Sequence, residues 1–336
     1  MSTYQGGRVP PPVGPRLLIR SFVGDVGIRP FDGVYWDSPD IDLIDAATQL
    51  PANAAELLQN HNYQIKVTMT NIGTLPAFGT ILELYVRDPH CTTMETLTSA
   101  DVQAIGTQII GEPIPCGGSK TVLSTNTWTP SADYVQAGLG HACIIARAYV
   151  PIYGIPTHFN CKLNTGIAHQ NTCYIWVEPG KTTFIPFQAF SGKNSDFADF
   201  RMEIIESSKR RALSEGGRQE RSSLIRAGII NTENNGKPDS IKQIKEAYDL
   251  YHRQNKLPPE YLKTYQKLIP MKKISAAFDN SSGKKYLCAV VEVPSSTPPE
   301  NEFSFKIEKW RGSNLVGGIT YILKVKGEKI RKPITR

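Results

Sequence analysis

The sequence of 336 residues has no uninterrupted apolar run of about 18 residues, the length that a helix needs to cross a bilayer. A transmembrane helix is therefore not expected. The N-terminal stretch MSTYQGGRVPPPVGPRLLIR also lacks the basic segment and apolar stretch of a Sec signal peptide. We expect the chain to be made and kept in the cytoplasm, and a location at a surface or in a particle would require another export route.

Familiar catalytic motifs are absent too. The sequence has no G-x-S-x-G and no H-E-x-x-H. Cys116 to Thr121, CGGSKT, resembles a phosphate-binding loop, but Ser119 stands where that motif needs glycine, and a strand-like segment follows instead of a helix. His141 and Cys143 would share one face of a strand, without a third group to orient them. The sequence therefore predicts a protein that is not an enzyme and binds no cofactor.

The six cysteines form no C-x-x-C pair. Three of them lie inside strand-like apolar runs, namely Cys143, Cys173 and Cys288. In a reducing compartment they are expected to be buried thiols. In an oxidising compartment, the alternative is a Cys161–Cys173 or a Cys91–Cys116 disulfide.

A short segment contains four side chains of the types that bind zinc. They are the candidate metal ligands His158, Cys161, His169 and Cys173. Their spacing is irregular, and Cys173 alternates with Trp176 in a predicted strand, which conflicts with a ligand role for all four. The sequence therefore favours no metal, with these residues as the alternative.

What the chain does contain is a period-two alternation of apolar and polar residues, typical of strands with one buried face. From Tyr63 to Val86 the pattern predicts two strands joined as a hairpin, whose apolar face must be covered by another layer. Further strands are predicted at 41–44, 107–114, 119–128, 141–150 and 172–177, and a short helix at 98–101. The core of this β-sandwich is predicted to contain Ile65, Val67, Trp128, Ile145 and Ile175.

A second group of alternating segments lies at 183–190, 200–204, 285–293, 303–307 and 319–325. Between them, residues 206–273 have a different pattern. Ser240 and Gln243 form a capping box before apolar residues at helical spacing, and Pro258–Pro259 suits the first turn of another helix. The predicted fold class is mainly β, with two immunoglobulin-like β-sandwiches, the second carrying a helical insertion at 206–273.

Four stretches occur in an order that resembles bacterial CARDB-type domains, which are immunoglobulin-like modules related to cell-adhesion domains: SPDIDLID, NYQIKVTMTNIGTLPAFGTILELYV, IPCGGSKTVLSTNTWTP and GHACIIARAYVP. In that family an N-x-G turn follows a V-x-V-x-V strand, and a G-G-S-type turn precedes a strand ending in W-x-P. The matching residues here are Asn71, Gly73, Gly117, Gly118, Trp128 and Pro130. The resemblance covers residues 38–178 and departs from the pattern at 88–106 and 153–172.

This resemblance implies a β-sandwich with a structural or adhesive role, because its motifs mark turns and packing and carry no chemistry. The predicted organisation is a proline-rich arm at 1–37, a CARDB-like sandwich at 38–180, and a second sandwich with its insertion at 181–336.

Charge is distributed unevenly along the chain. Residues 1–205 carry a net charge of −5, residues 206–273 carry +7, and residues 274–336 carry +5. This asymmetry favours head-to-tail contacts between copies, or an acidic partner for the basic half. A solvated basic surface without a partner is the alternative. The candidate interaction residues are Lys209, Arg210, Arg211, Arg218, Arg221 and Arg226.

Taken together, these features predict a non-catalytic structural or adhesive protein that contacts other proteins, either copies of itself or different chains. Assembly into a surface layer, filament or particle is one form that such contacts would take. The alternative is binding of nucleic acid or another anionic ligand through the basic insertion, where tyrosines downstream of the arginines would supply stacking surfaces.

Overall fold

The computed structural model describes residues 13–52, 60–87, 90–91, 97–130, 143–190, 197–205, 226–231, 272–277, 284–298 and 301–325. Within these ranges the protein is mainly β, with seventeen strands and two single-turn 3-10 helices. The first 3-10 turn, Ser99–Asp101, confirms the predicted short helix, and the backbone N–H and hydroxyl of Thr98 both donate to Asp101 Oδ2 at 2.9 Å. No helix in this part of the chain is long and apolar enough to span a membrane.

Two sheets share the first core. Sheet I places β3 (Tyr63–Asn71) between β7 (Ser119–Leu123) on one side and β2 (Ile41–Asp45) with β1 (Leu17–Leu18) on the other. Sheet II has the order β6 (Gln103–Ile110), β4 (Thr80–Arg87), β8 (Cys143–Tyr149), β9 (Ile167–Gln170). All of its neighbouring pairs are antiparallel.

Alternation along the strands produces the first core. Ile65 and Val67 of β3 are fully buried against the inward residues of β4 and β8. Trp128 is buried beside Tyr63, and the backbones of these two residues form hydrogen bonds in both directions, at 2.7 and 2.9 Å. The predicted positions of Ile65, Val67 and Trp128 in the core are confirmed. Ile145 is also buried, but it lies on the opposite face of sheet II.

The predicted hairpin of β3 and β4 is wrong, because the two strands belong to different sheets. Asn71 holds the connection that crosses between them. Its Oδ1 accepts the backbone N–H groups of Arg16 and Gly73, and its Nδ2 donates to the carbonyls of Leu75 and Ile114 at 2.8 and 2.9 Å. Alternation fixes which side chains face inward, but two strands with the same pattern satisfy it equally well from opposite layers.

Two further sheets share the second core. Sheet III has the order β13 (Arg226–Asn231), β15 (Lys284–Glu292), β11 (Thr182–Phe190), β5 (His90–Cys91). Sheet IV has the order β10 (Thr172–Val177), β17 (Asn314–Val325), β16 (Glu302–Arg311), β12 (Phe197–Ile205), β14 (Lys273–Ala277). Their shared core includes Ile185, Phe200, Ile229, Val291 and Leu323.

Two strands differ from the sequence prediction. β10 was predicted in the first sandwich, but it pairs in parallel with β17 of sheet IV, so Ile175 packs against the second core and its predicted place in the first core is wrong. Within the predicted helical insertion 206–273, Arg226–Asn231 is a strand paired with β15, which corrects the prediction there. The helices predicted at 240–251 and from 258 lie outside the described residues.

Candidate protein-contact site

The candidate metal ligands are not brought together. His158 is exposed, with Nδ1 at 3.0 Å from the hydroxyl of Thr157, whereas Cys161 is fully buried with its thiol directed at the carbonyl of Tyr35. His169 is also fully buried, and the side chain of Cys173 lies outside the described residues. Where side chains are described, no three His, Cys, Asp or Glu residues form a group that would hold a metal ion.

The buried thiols are poor nucleophiles. Burial raises the pKa of Cys143, Cys161 and Cys288 to about 12, so all three remain protonated at neutral pH. Cys161 and Cys116 are free thiols, so neither alternative disulfide is formed. His141, the other half of the pair considered with Cys143, lies outside the described residues.

The predicted interaction residues are Lys209, Arg210, Arg211, Arg218, Arg221 and Arg226. All but Arg226 lie outside the described residues. Arg226 is the first residue of β13, where its backbone is opposite Glu292 of β15. The basic patch therefore stays a prediction, because its side chains are not among those that the structure describes.

His169 of β9 is fully buried and is held by a hydrogen bond to the segment that covers the outer face of sheet II. Its Nε2–H donates to the carbonyl of Phe159 at 2.9 Å, which leaves Nδ1 as an acceptor without a hydrogen-bond partner in the described structure. The pKa of His169 is lowered to about 4, mainly because burial disfavours the charged imidazolium. The hydrogen bond to Phe159 raises it, and the nearby charge of Arg87 contributes to the lowering.

This low pKa predicts a pH-dependent stability. The unfolded chain, with a histidine pKa of about 6.5, takes up a proton more readily than the folded protein, so stability is lost as the pH falls from about 6.5 towards 4. Between pH 7 and pH 5 the free energy of unfolding should drop by about 2 kcal/mol on account of this residue. Urea titrations at both pH values measure the drop. In His169→Gln most of the difference should disappear, and an unchanged difference would contradict the assignment to His169.

The outer face of sheet II also carries a largely buried ion pair, with 8% of the Arg147 side chain and 14% of the Glu83 side chain exposed. Arg147 Nε donates to Glu83 Oε2 at 2.6 Å, and its terminal nitrogens donate to the carbonyl of Pro156 and the hydroxyl of Tyr85. Tyr149 donates to the other oxygen of Glu83 at 3.1 Å. These groups satisfy one another's hydrogen bonds. Through the carbonyl of Pro156, the network fastens residues 150–166 over the sheet. The two charges are paired with each other and are therefore not available to a ligand.

Trp36 joins the two sandwiches. Its ring is fully buried against Gly318 of β17, and its Nε1–H donates to the hydroxyl of Thr320 at 3.2 Å. That hydroxyl in turn donates to Asp37 at 2.8 Å, and Asn171 Nδ2 donates to the carbonyl of Gly318 at 2.8 Å. The joint is closed and occupied by the protein's own side chains.

On one side of the first sandwich, both sheet edges are covered. The edge of β9 meets residues 19–38, since Ser38 N–H donates to the carbonyl of His169 at 3.1 Å and Asp37 bridges to Gln170. The edge of β2 is covered by its own following loop, in which Ala52 N–H donates to the carbonyl of Leu43 at 2.8 Å. At these positions the covering segments occupy the place of a further strand.

On the opposite side of the first sandwich, no described strand covers the edge of sheet II. There β6 pairs only with β4 among the described strands. No charged residue or proline occurs from Gln103 to Gly111, and Ile109 is 71% exposed. Such an uncharged, exposed edge is a ready template for another strand.

Contacts from the loop after β7 limit how much of this edge is free. Asn126 Nδ2 donates to the carbonyl of Ile105 at 3.1 Å, beside a bulge in the strand, and Gln108 accepts the N–H of Thr125 through its side chain. Pro113 lies just beyond the far end. The contact at Gln108 is made by its side chain, and no described loop forms a hydrogen bond with the backbone of residues 107–111. We call these residues the free segment, and Ile109 is its middle residue.

Other edge strands of the molecule carry charged residues. These are Asp42 in β2, Lys120 in β7, Arg226 in β13 and Lys273 in β14. β10 is also uncharged, but four of its six side chains lie outside the described residues. β1 and β5 are uncharged too but are only two residues long, and the uncharged β9 is covered by residues 19–38. β6 is thus the longer uncharged edge strand that the described loops do not cover along its whole length. Its absence of charge was visible in the sequence, whereas its edge position was not.

Comparisons with known proteins give distant similarities only. No family model matches the chain, and no curated protein matches it. Among solved structures, the CARDB domain of a Pyrococcus furiosus protein, in complex with di-metal ions, is 12% identical over 40% of this chain and 89% of that one, with a TM-score of 0.23.

Two other solved structures align with most of the chain. The CupB6 tip adhesin from Pseudomonas aeruginosa is 7% identical over 85% of this chain and 97% of that one, with a TM-score of 0.22. Red sea bream transglutaminase is 10% identical over 86% of this chain and 31% of that one, with a TM-score of 0.21.

Proposed function

We propose that this is a non-catalytic structural or adhesive protein that makes protein–protein contacts by accepting a partner strand at the free edge of β6. The observation that carries the proposal is the uncharged, exposed segment 107–111 at the edge of sheet II that no described strand covers. In strand addition, backbone hydrogen bonds supply affinity, and side chains alternating along the strand supply specificity.

The way in which other edge strands are protected supports the proposed strand addition at β6. The chain covers β2 and β9 with its own loops and places charged residues on β7, β13 and β14. These are the devices by which natural proteins prevent unwanted strand pairing. Residues 107–111 carry no charge, and no described loop pairs with their backbone, which is consistent with an edge that is kept available for a partner.

The chemistry of the described side chains fits a contact function better than catalysis. The buried thiols stay protonated, His169 is enclosed, and the Arg147–Glu83 pair is satisfied internally. Nucleic-acid binding through the basic segment has no support from a described contact. Assembly into a layer, filament or particle, and the location of the protein, stay predictions.

A labelled peptide tests the proposed function. A soluble peptide containing QAIGTQII, the sequence of β6, should bind the full chain with a Kd in the micromolar to millimolar range, about −4 to −8 kcal/mol. Ile109→Lys places a charge on the edge and should weaken binding about tenfold or more, as measured by fluorescence anisotropy.

Ile152→Lys is the matched control, because Ile152 is an exposed isoleucine outside the edge strand. It should bind the peptide as tightly as the unaltered protein does. If the peptide fails to bind, or if both lysine variants weaken binding equally, the free edge of β6 does not accept strands and the proposed function is wrong.

A further inference from the structure

We infer that the strand that pairs with β6 belongs to a second copy of this chain. The two copies are related by a two-fold axis that passes between their two Ile109 residues, and their sheets II join into one continuous sheet of eight strands. This inference rests on the proposed function and adds to it the identity of the partner and the register of the contact.

The charge pattern favours a second copy. In an antiparallel pair related by a two-fold axis, both copies present the same strand, so a charge at the centre meets its own image. Directly opposed like charges destabilise a strand pair. A pair centred on Lys120 of β7 or on Asp42 of β2 would oppose two like charges, whereas residues 107–111 contain no charge and allow any central residue.

The side chains fix the register. Directly opposed residues must lie on the same face of the sheet, so one residue must be opposite its own copy, with the two-fold axis midway between the two. The bulge and Asn126 limit the free segment at one end, and Pro113 limits it at the other. Centring the pair on Ile109 uses all of residues 107–111, with Thr107 opposite Gly111 of the second copy.

This register also buries the most exposed apolar group of the strand. Ile109 lies beside Ile81 of β4 on the outer face of sheet II, and Ile81 lies beside Tyr149 of β8. Opposed isoleucines from two copies would extend this row across the joined sheets. Gln108 and Ile110 would be opposite each other on the inner face, with no charged group in either pair.

Disulfide trapping tests the register. The experiment uses the full chain with Cys116→Ser, which removes an exposed free thiol. In that background Ile109→Cys should form a covalent dimer under mild oxidation, since directly opposed residues have Cα atoms about 4.5–5.5 Å apart, within disulfide range. Thr107→Cys is the matched control. Its symmetry mate would lie four residues further along, about 13 Å away, so it should not form a dimer.

The outcomes separate the inference from the proposed function. A dimer from Ile109→Cys and none from Thr107→Cys, on non-reducing gels, supports the second copy in this register. If neither variant forms a dimer, or both do equally, while the β6 peptide still binds, the partner is a different protein or pairs differently, and the inference is overturned although the edge function stands. If the peptide also fails to bind, both are wrong.

Discussion

Replacing Trp36 by alanine should lower the free energy of unfolding by about 3–5 kcal/mol, the usual cost of removing a large aromatic side chain from a core. The indole is fully buried at the joint of the two sandwiches, and the change also removes the hydrogen bond from Nε1 to Thr320. Urea denaturation measures the loss. Phe78→Ala is the control, because Phe78 is 64% exposed and its truncation should change stability by no more than about 0.5 kcal/mol.

A double-mutant cycle shows whether Trp36 acts through its contact with Gly318. A Cβ added at Gly318 would lie 2.0 Å from the indole ring, so Gly318→Ala alone should be strongly destabilising. Once Trp36 is alanine, the same change should cost much less, because the clash is gone. Additive effects of the two changes would contradict the direct contact and the closed joint.

The second large effect is expected at the buried pair of Arg147 and Glu83. Arg147→Met should destabilise the protein by about 3–5 kcal/mol, because it leaves the carboxylate of Glu83 buried without its positive partner. Chemical denaturation at pH 7 measures the cost. Replacing Glu83 by leucine as well should recover much of it, since an apolar pair leaves no buried charge.

An exposed ion pair provides the comparison. Lys120 and Glu112 form a salt bridge at the surface, with 39% and 79% of their side chains exposed. Lys120→Ala should change stability little, because exposed pairs are screened by solvent. If Arg147→Met is as mild as Lys120→Ala, the outer face of sheet II is more hydrated than the structure indicates, and residues 150–166 are not fastened through Arg147.

The candidate metal site shows where sequence proximity fails as a guide to a site. His158, Cys161 and His169 lie close together along the chain, yet one is exposed and the other two are enclosed with different backbone partners. Ligand types and spacing can be read from a sequence. Whether the side chains converge depends on the path of the loop, which here is set by packing on the outer face of sheet II.

The sequence by itself determined most of the longer strands and the buried face of β3, because side-chain alternation follows from strand geometry alone and needs no information about distant residues. That is why Ile65, Val67 and Trp128 were placed correctly. In β8 every residue is buried, so alternation did not identify the inward face, and Ile145 was assigned to the wrong core. Only the tertiary structure decided which sheet each strand joins, since several partners satisfy the same alternation, as β4 and β10 demonstrate. The tertiary structure also decided the contact between Trp36 and Thr320, because these two residues are 284 positions apart in the sequence. The lack of charge in β6 is a property of its sequence, but its position at an open edge exists only once the sheets have formed.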